Sequence, residues 1–348
     1  MLLVPTCRWL ILGALVTTAI AGCGSSSSGS GSGGHVTITL YNGQHQQTTD
    51  ALVAGFEKQT GINVAVRSDD EDVFDNEIQT EGSRSKADVI YTENTPALQF
   101  LQERNLLAPI DASTLADVPS RFNSAKGDWV GISARVSVLD YNPALISASQ
   151  LPKTAMAMAD PQYAGKLAIA PGETDFQPIV TSMINRYGTA ATKTWLEGLK
   201  ANAGSSHTYP DNETIASQVS RGQVAFGLIN QYYWYRLNAE VGASNDHSRI
   251  AYFAPHDPGY VLDVSGAAVL ASSQHQSAAQ RFVAYLTSKA GQDIIARSSS
   301  SFEYPLGSGV TTAQPETPFS QLQPNPIDLE QLGDGRAAVA LLKQAQLL

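Results

Sequence analysis

Val36-Thr37-Ile38-Thr39-Leu40-Tyr41 alternates in polarity and is rich in β-branched residues, so it reads as a strand. The turn Asn42-Gly43-Gln44-His45 follows, and Leu52, Val53 and Phe56 then mark one face of a helix that Gly61 stops. Ile62–Val66 repeats the strand signal, and an acidic helix runs over about Val73–Thr80. Ala87–Tyr91 is a third strand, after which Thr92-Glu93-Asn94-Thr95-Pro96 opens another helix, with Pro96 suited to its first turn. Strands spaced by helices in this way lie parallel, with each helix as a crossover. The first part of the chain is therefore α/β, and a ligand site belongs at the C-terminal ends of its strands.

The β-rich run Trp129–Asp140 is long enough to leave one domain and enter another. An α/β pattern then begins afresh. Leu167–Ala170 is a strand, and Ile179, Val180, Met183 and Ile184 lie in the helix after it. A further helix covers Thr192–Lys200, and Asn212 is the expected N-cap of the helix Glu213–Ser220. Val224–Leu228 is a buried strand, Val264–Leu270 a strand leading back, and Ala278–Leu286, Gly291–Ala296 and Arg336–Gln344 are helices. At 348 residues and 43% hydrophobic content the chain has material for two cores.

Tyr232, Tyr233, Trp234 and Tyr235 arrive together where the strand Val224–Leu228 hands over to a helix. Phenolates are hard oxygen donors and suit a hard, highly charged cation. Buried aromatics with satisfied polar tips are the competing reading of the cluster. Two other groups hold equivalent places: His45 follows the first strand and Glu93 the third. Singly, each has a structural explanation, such as a carboxylate favoured by a helix N-terminus. Jointly, an imidazole, a carboxylate and two phenols from two domains face one cleft, and the three anionic donors match a tripositive ion.

The net charge of −10, with no basic cluster, argues against nucleic acid or an anionic membrane surface as partner. Residues 1–22 read as a lipoprotein signal peptide, with Arg8 ahead of an apolar Trp9–Ile20 segment too short to span a membrane. Ile20-Ala21-Gly22-Cys23 resembles a lipobox, which implies cleavage before Cys23 and lipidation of its sulfur. The Gly/Ser stretch through residue 35 is a flexible tether reaching on the order of 20 Å. Beyond Cys23 there is no other thiol, so disulfides, zinc–thiolate sites and iron–sulfur clusters are excluded from the body. The expected location is the outer face of the bacterial cytoplasmic membrane.

Several of these segments together resemble one family. They are Tyr41-Asn42-Gly43-Gln44-His45, Glu81-Gly82-Ser83-Arg84-Ser85, Ala87–Glu93, Ile229-Asn230-Gln231-Tyr232-Tyr233-Trp234, His256-Asp257-Pro258-Gly259, Ser265–Leu270 and Glu303-Tyr304-Pro305-Leu306. The chain is similar to the ferric-ion-binding proteins, the solute-binding subunits of iron ABC importers, from about Val36 to the C-terminus. The resemblance implies a two-lobed periplasmic-binding-protein (type II) fold with a hinge, closing on Fe³⁺ and delivering it to a permease as a monomer. The lobes are expected over residues 36–138 plus 264–310 and residues 139–263 plus 311–348. His45, Glu93, Tyr232 and Tyr233 are the implied metal ligands. Two further iron positions would go to water and a synergistic anion such as phosphate or carbonate.

At the implied anion site the chain departs from the family. Glu173-Thr174-Asp175 stands where a small Ser-Gly-Ala stretch is usual, while Asn212 and Asn230 match anion-site positions. Two carboxylates there would repel phosphate, so Glu173 or Asp175 is expected to take the anion's role, or a smaller anion to be used. Asp175 acting only as a helix cap is the competing reading.

Enzyme signatures are weak. Ser83-Arg84-Ser85-Lys86 has the S-x-x-K spacing but lacks the companion motifs of penicillin-binding enzymes. Arg135 is expected to be an ion-pair partner between lobes. The alternative function is a same-fold receptor for a polyamine, thiamine, a sugar or an organophosphate.

Overall fold

The computed structural model describes residues 36–348 other than Ser308 and Pro315; the expected signal peptide, Cys23 and the tether lie outside the described residues. The strands are β1 Thr37–Asn42, β2 Asn63–Ser68, β3 Val89–Thr92, β4 Val130–Tyr141, β5 Leu167–Ala168, β6 Phe226–Asn230, β7 Arg249–Ala251, β8 Leu262–Val269 and β9 Tyr304–Pro305. Their order is β2-β1-β3-β8-β4-β6-β5, with β7 and β9 each paired to β4. β1 is parallel to both β2 and β3, as the crossover pattern requires, and the helices Gln46–Thr60 and Glu71–Glu81 make the connections. Gly61 ends the first of these helices in the left-handed region (φ 70°), where its N–H reaches Glu57 O and a side chain would be strained.

β4 changes partner along its length. Its first part, Val130–Val136, runs antiparallel to β8, and its second, Ser137–Tyr141, runs antiparallel to β6. Two hydrophobic clusters divide at the same place. Ile132 and Ala134 pack into one with β1, β3 and the helix Gln276–Thr287, whereas Val136, Val138 and Leu139 pack into the other with β5, β6 and the helix Thr189–Ala203. The chain passes between clusters again from Val261 to Val264 and from Phe302 to Tyr304. Leu329 and Leu332 return to the first cluster before the helix Arg336–Gln344 joins the second. Among the described residues no helix is long and apolar enough to cross a membrane.

One expected cap is displaced by a residue. Asp211, not Asn212, is the N-cap of the helix Asn212–Ser220: its backbone is extended and its carboxylate accepts from Thr214 N at 2.6 Å. Asn212 already lies in the first turn, so its side chain is free to face inward.

Candidate metal centre

Three strand ends build the centre. After β1, the Asn42 side chain shapes the turn: its amide donates to Gln44 O at 2.7 Å, and its oxygen accepts from Thr49 Oγ1 at 2.8 Å. That turn delivers His45 to the start of the helix Gln46–Thr60. Glu93 follows β3 directly, and Asn94 after it stands at the N-cap position of the helix Thr95–Glu103 without a side-chain cap bond. β6 runs into the helix Gln231–Val241, whose first turn carries Tyr232 and Tyr233.

These side chains converge. His45 Nδ1 is 3.2 Å from Glu93 Oε1, and the imidazole packs against Tyr232 and Tyr233 at centroid separations of 5.1 and 6.4 Å. The two phenol rings are 4.0 Å apart. Tyr232 is fully buried, yet its hydroxyl has no hydrogen-bond partner, and neither has His45 Nε2. Buried polar atoms are normally paired, so both atoms have bonding capacity left for a ligand. Among the described residues no group of three or more His, Cys, Asp and Glu side chains is placed to hold a metal, so any metal site here depends on the phenols.

Beneath them lies a buried ion pair. Arg135, on β4 with no exposed surface, donates to Asp175 Oδ1 at 2.8 Å, to Asn94 Oδ1 at 2.9 Å and to Glu93 O. Asp175 stands at the N-cap position of the helix Phe176–Tyr187 but makes no side-chain cap; its other oxygen accepts from Tyr233 OH at 3.2 Å. Arg135 therefore bridges the two clusters, and Asp175 faces the phenols rather than its own helix.

The electrostatics favour neutral donors until a cation arrives. Burial lowers the His45 pKa to about 3, aided by Arg236 and Arg135, so the imidazole is uncharged and available as a ligand. Burial pushes Glu93 and both phenols well above their usual ranges, reinforced by Asp175 in each case. Arg135 keeps its charge against burial because Asp175, Glu303, Asp263 and Glu93 surround it.

A cavity of about 290 Å³ leads to the centre, and five carboxylates, those of Asp70, Glu71, Glu93, Glu173 and Glu213, line it with His45, Thr174 and Tyr233. Asn212 and Asn230 are not on that cavity. With Asp175 they border a void of about 10 Å³, room for about one water. Four residues around the centre are given no role by the sequence: Gln44 and Gln231, which sit at strand ends beside the ligands, and Glu213 and Arg236, which do not. Arg236 lies 5.9 Å from the Tyr232 ring centroid and pairs with Glu213 at 3.3 Å. Its place one helical turn beyond the tyrosines is the pattern that points to it.

The bacterial extracellular solute-binding protein family matches residues 84–326 of this sequence. The chain belongs to that family. This solute-binding protein is 39% identical to the Fe(3+)-binding periplasmic protein of Serratia marcescens, over 89% of this chain and 90% of that one. It is 36% identical to the major ferric iron-binding protein of Neisseria meningitidis serogroup A, over 88% and 92%. It superimposes on iron-bound HitA from Pseudomonas aeruginosa with a TM-score of 0.85 and 40% identity, covering 89% of this chain and 99% of HitA. The solute-binding protein thus has the two-lobed type II fold, and it is a transport receptor rather than an enzyme.

Proposed function

We infer that this receptor captures Fe³⁺ in the cleft between its lobes, with His45, Glu93, Tyr232 and Tyr233 as the protein ligands. The observation that carries the reading is the pair of unpartnered buried atoms, Tyr232 OH and His45 Nε2, set beside Glu93 and Tyr233. Two phenolates and a carboxylate cancel three positive charges in a site where an uncompensated charge would be costly. The iron named in relatives matched over most of the chain supports the choice of metal. Division into lobes near residues 138 and 263 is supported by the exchange of hydrophobic clusters close to both. Leu329 and Leu332 argue for placing the last boundary beyond residue 310, nearer the helix Arg336–Gln344.

Asp175 takes the place of an exogenous anion. Its carboxylate lies against Tyr233 and is held there by Arg135, while Asn212 and Asn230 enclose with it a space about one water in size. Glu173 and Thr174 face the cavity; burial holds Glu173 up to about 8, so it adds negative charge against phosphate as pH rises through that value. Delivery to an ABC permease follows from the family role, as does an extracytoplasmic place; anchoring through a lipid on Cys23 rests on the sequence around that residue.

Purification without chelator, followed by visible absorbance and metal mass spectrometry, tests the reading. Ferric iron on phenolates absorbs visible light, and bound polyamine, thiamine or sugar does not. One equivalent of iron with that band, largely lost in Tyr233→Phe, is expected. A colourless protein that stays colourless on ferric loading would overturn it.

A further inference from the structure

Two of the three ligand-bearing turns have a buried glutamine just ahead of the ligand, Gln44 before His45 and Gln231 before Tyr232. The Gln44 oxygen accepts from His45 N at 2.6 Å, and its amide donates to Ser265 Oγ at 2.8 Å and to the Glu303 carboxylate at 3.4 Å. Ser265 Oγ in turn donates to Thr92 O at 2.8 Å, next to Glu93. In the other lobe the Gln231 oxygen accepts from Val136 N at 2.8 Å, and its amide donates to Phe302 O at 3.0 Å.

The two glutamines thus end on consecutive residues of one segment. Phe302 and Glu303 are both buried and lie where the chain passes from the second hydrophobic cluster to the first. Phe302 holds φ at +51°, a left-handed conformation that a bulky residue keeps only when its surroundings enforce it. Stacking on Tyr235 (5.9 Å) and the bond from Gln231 hold it on one side. The bond from Ser133 Oγ to Glu303 at 2.5 Å and pairing of the next two residues with β4 hold it on the other.

We propose that Gln44 and Gln231 are positioning residues, and that the Phe302–Glu303 segment couples the setting of His45 and Glu93 in one lobe to that of Tyr232 and Tyr233 in the other. A shift of Gln231 moves the Phe302 carbonyl. The adjoining Glu303 carboxylate moves with it, and so does the Gln44 amide it receives. Only the consequence for iron rests on the ligand assignment above; the coupling is a property of the metal-free chain.

The test is amide hydrogen exchange on the metal-free full chain. Gln231→Ala should speed exchange of the His45 amide by about fivefold or more relative to the Leu52–Phe56 turn of the adjacent helix, although Gln231 lies in the other lobe. Gln44→Ala should do the same to the Val136 amide. Gln231→Met deletes these hydrogen bonds, with the longer one to Glu316 at 3.5 Å, at similar volume and serves if the alanine variant does not fold. Acceleration at His45 equal to that at Leu52–Phe56, or confined to the neighbours of residue 231, would overturn the coupling. Iron competition against a chelator then reads the consequence: the losses in Gln44→Met and Gln231→Met should not multiply in the double variant. Coupled exchange with unchanged iron affinity in Gln44→Met would leave the link standing and sink the assignment of His45.

Discussion

Tyr233 OH donates to one oxygen of Asp175 at 3.2 Å, and Arg135 binds the other at 2.8 Å. A carboxylate beside the second hydrophobic cluster is thus fixed by a guanidinium from the strand that passes between clusters, and one of its oxygens meets a phenol. Exogenous anions complete metal shells where the protein offers only backbone N–H groups. Here a resident anion already stands beside a proposed ligand.

Asp175→Asn should therefore weaken iron binding by about tenfold or more and make it responsive to phosphate or carbonate, which the native protein should not be. Asp175→Ala should also leave Arg135 buried without its ionic partner. Breaking such a pair costs on the order of 3–5 kcal/mol, so urea unfolding of the metal-free variant should show a loss of that size. Phosphate sharply raising iron affinity in the native protein would contradict the role given to Asp175.

The two tyrosines should separate stability from binding. Tyr232 buries a hydroxyl with no partner, at a cost of about 1–3 kcal/mol, so Tyr232→Phe should stabilise the metal-free protein while abolishing tight iron binding. Tyr233→Phe loses a hydrogen bond to Asp175 and should destabilise it by about 1 kcal/mol, with a similar loss of iron. Thermal unfolding of both variants without metal, beside chelator competition, checks the opposite signs.

Acid should act in opposite directions on the two forms. Iron must displace protons from Tyr232, Tyr233 and Glu93, all of which burial makes reluctant to ionise. Each displaced proton weakens binding about tenfold per unit fall in pH. Without metal, burial holds Glu71 and Glu316 up to about 8 and Asp263 up to about 7. Unfolded, these groups ionise near about 4, so the folded state binds the extra protons. Their contribution to stability is complete below about pH 4 and is lost as pH rises through about 7 to 8. The metal-free protein should melt at a higher temperature at about pH 5.5 than at about pH 8.5, and the iron-loaded protein at a lower one. Calorimetry of both forms across that range is the measurement.

The four proposed ligands were legible because strand C-termini carry ligand sites, and strand and helix signals locate those termini to within a residue or two. The predicted helix Arg336–Gln344 coincides with the observed one. Most of what the sequence left open depends on partners distant along the chain. Nothing local says that Gln44 and Gln231 end on adjacent residues, because a glutamine whose role is hydrogen bonding at long range has no periodicity. Arg135 reads from sequence as an ion-pair partner, but its acceptor, Asp175, reads equally as a helix cap, and only the fold turns that side chain away from its own helix. Asp211 displaced Asn212 as N-cap because both side chains can cap and only backbone geometry separates neighbours.

The mouth of the cleft yields a final prediction. Five carboxylates line the approach, and Arg236 at its side is paired with one of them, Glu213. A cleft walled by one sign of charge concentrates the opposite sign and repels its own. Loading from a weak, uncharged or cationic ferric complex should therefore outpace loading from ferric citrate, and added salt should narrow the gap. Burial holds Glu71 and Glu173 up to about 8, so the mouth gains charge as pH rises and the preference should widen from about pH 7 to about pH 9. Glu173→Gln removes part of that gain without touching the phenols, and should speed loading from citrate while slowing it from the cationic complex. Stopped-flow absorbance at the phenolate band follows both reactions. Equal rates from the two complexes, insensitive to salt, would mean that the mouth does not select the form in which iron arrives.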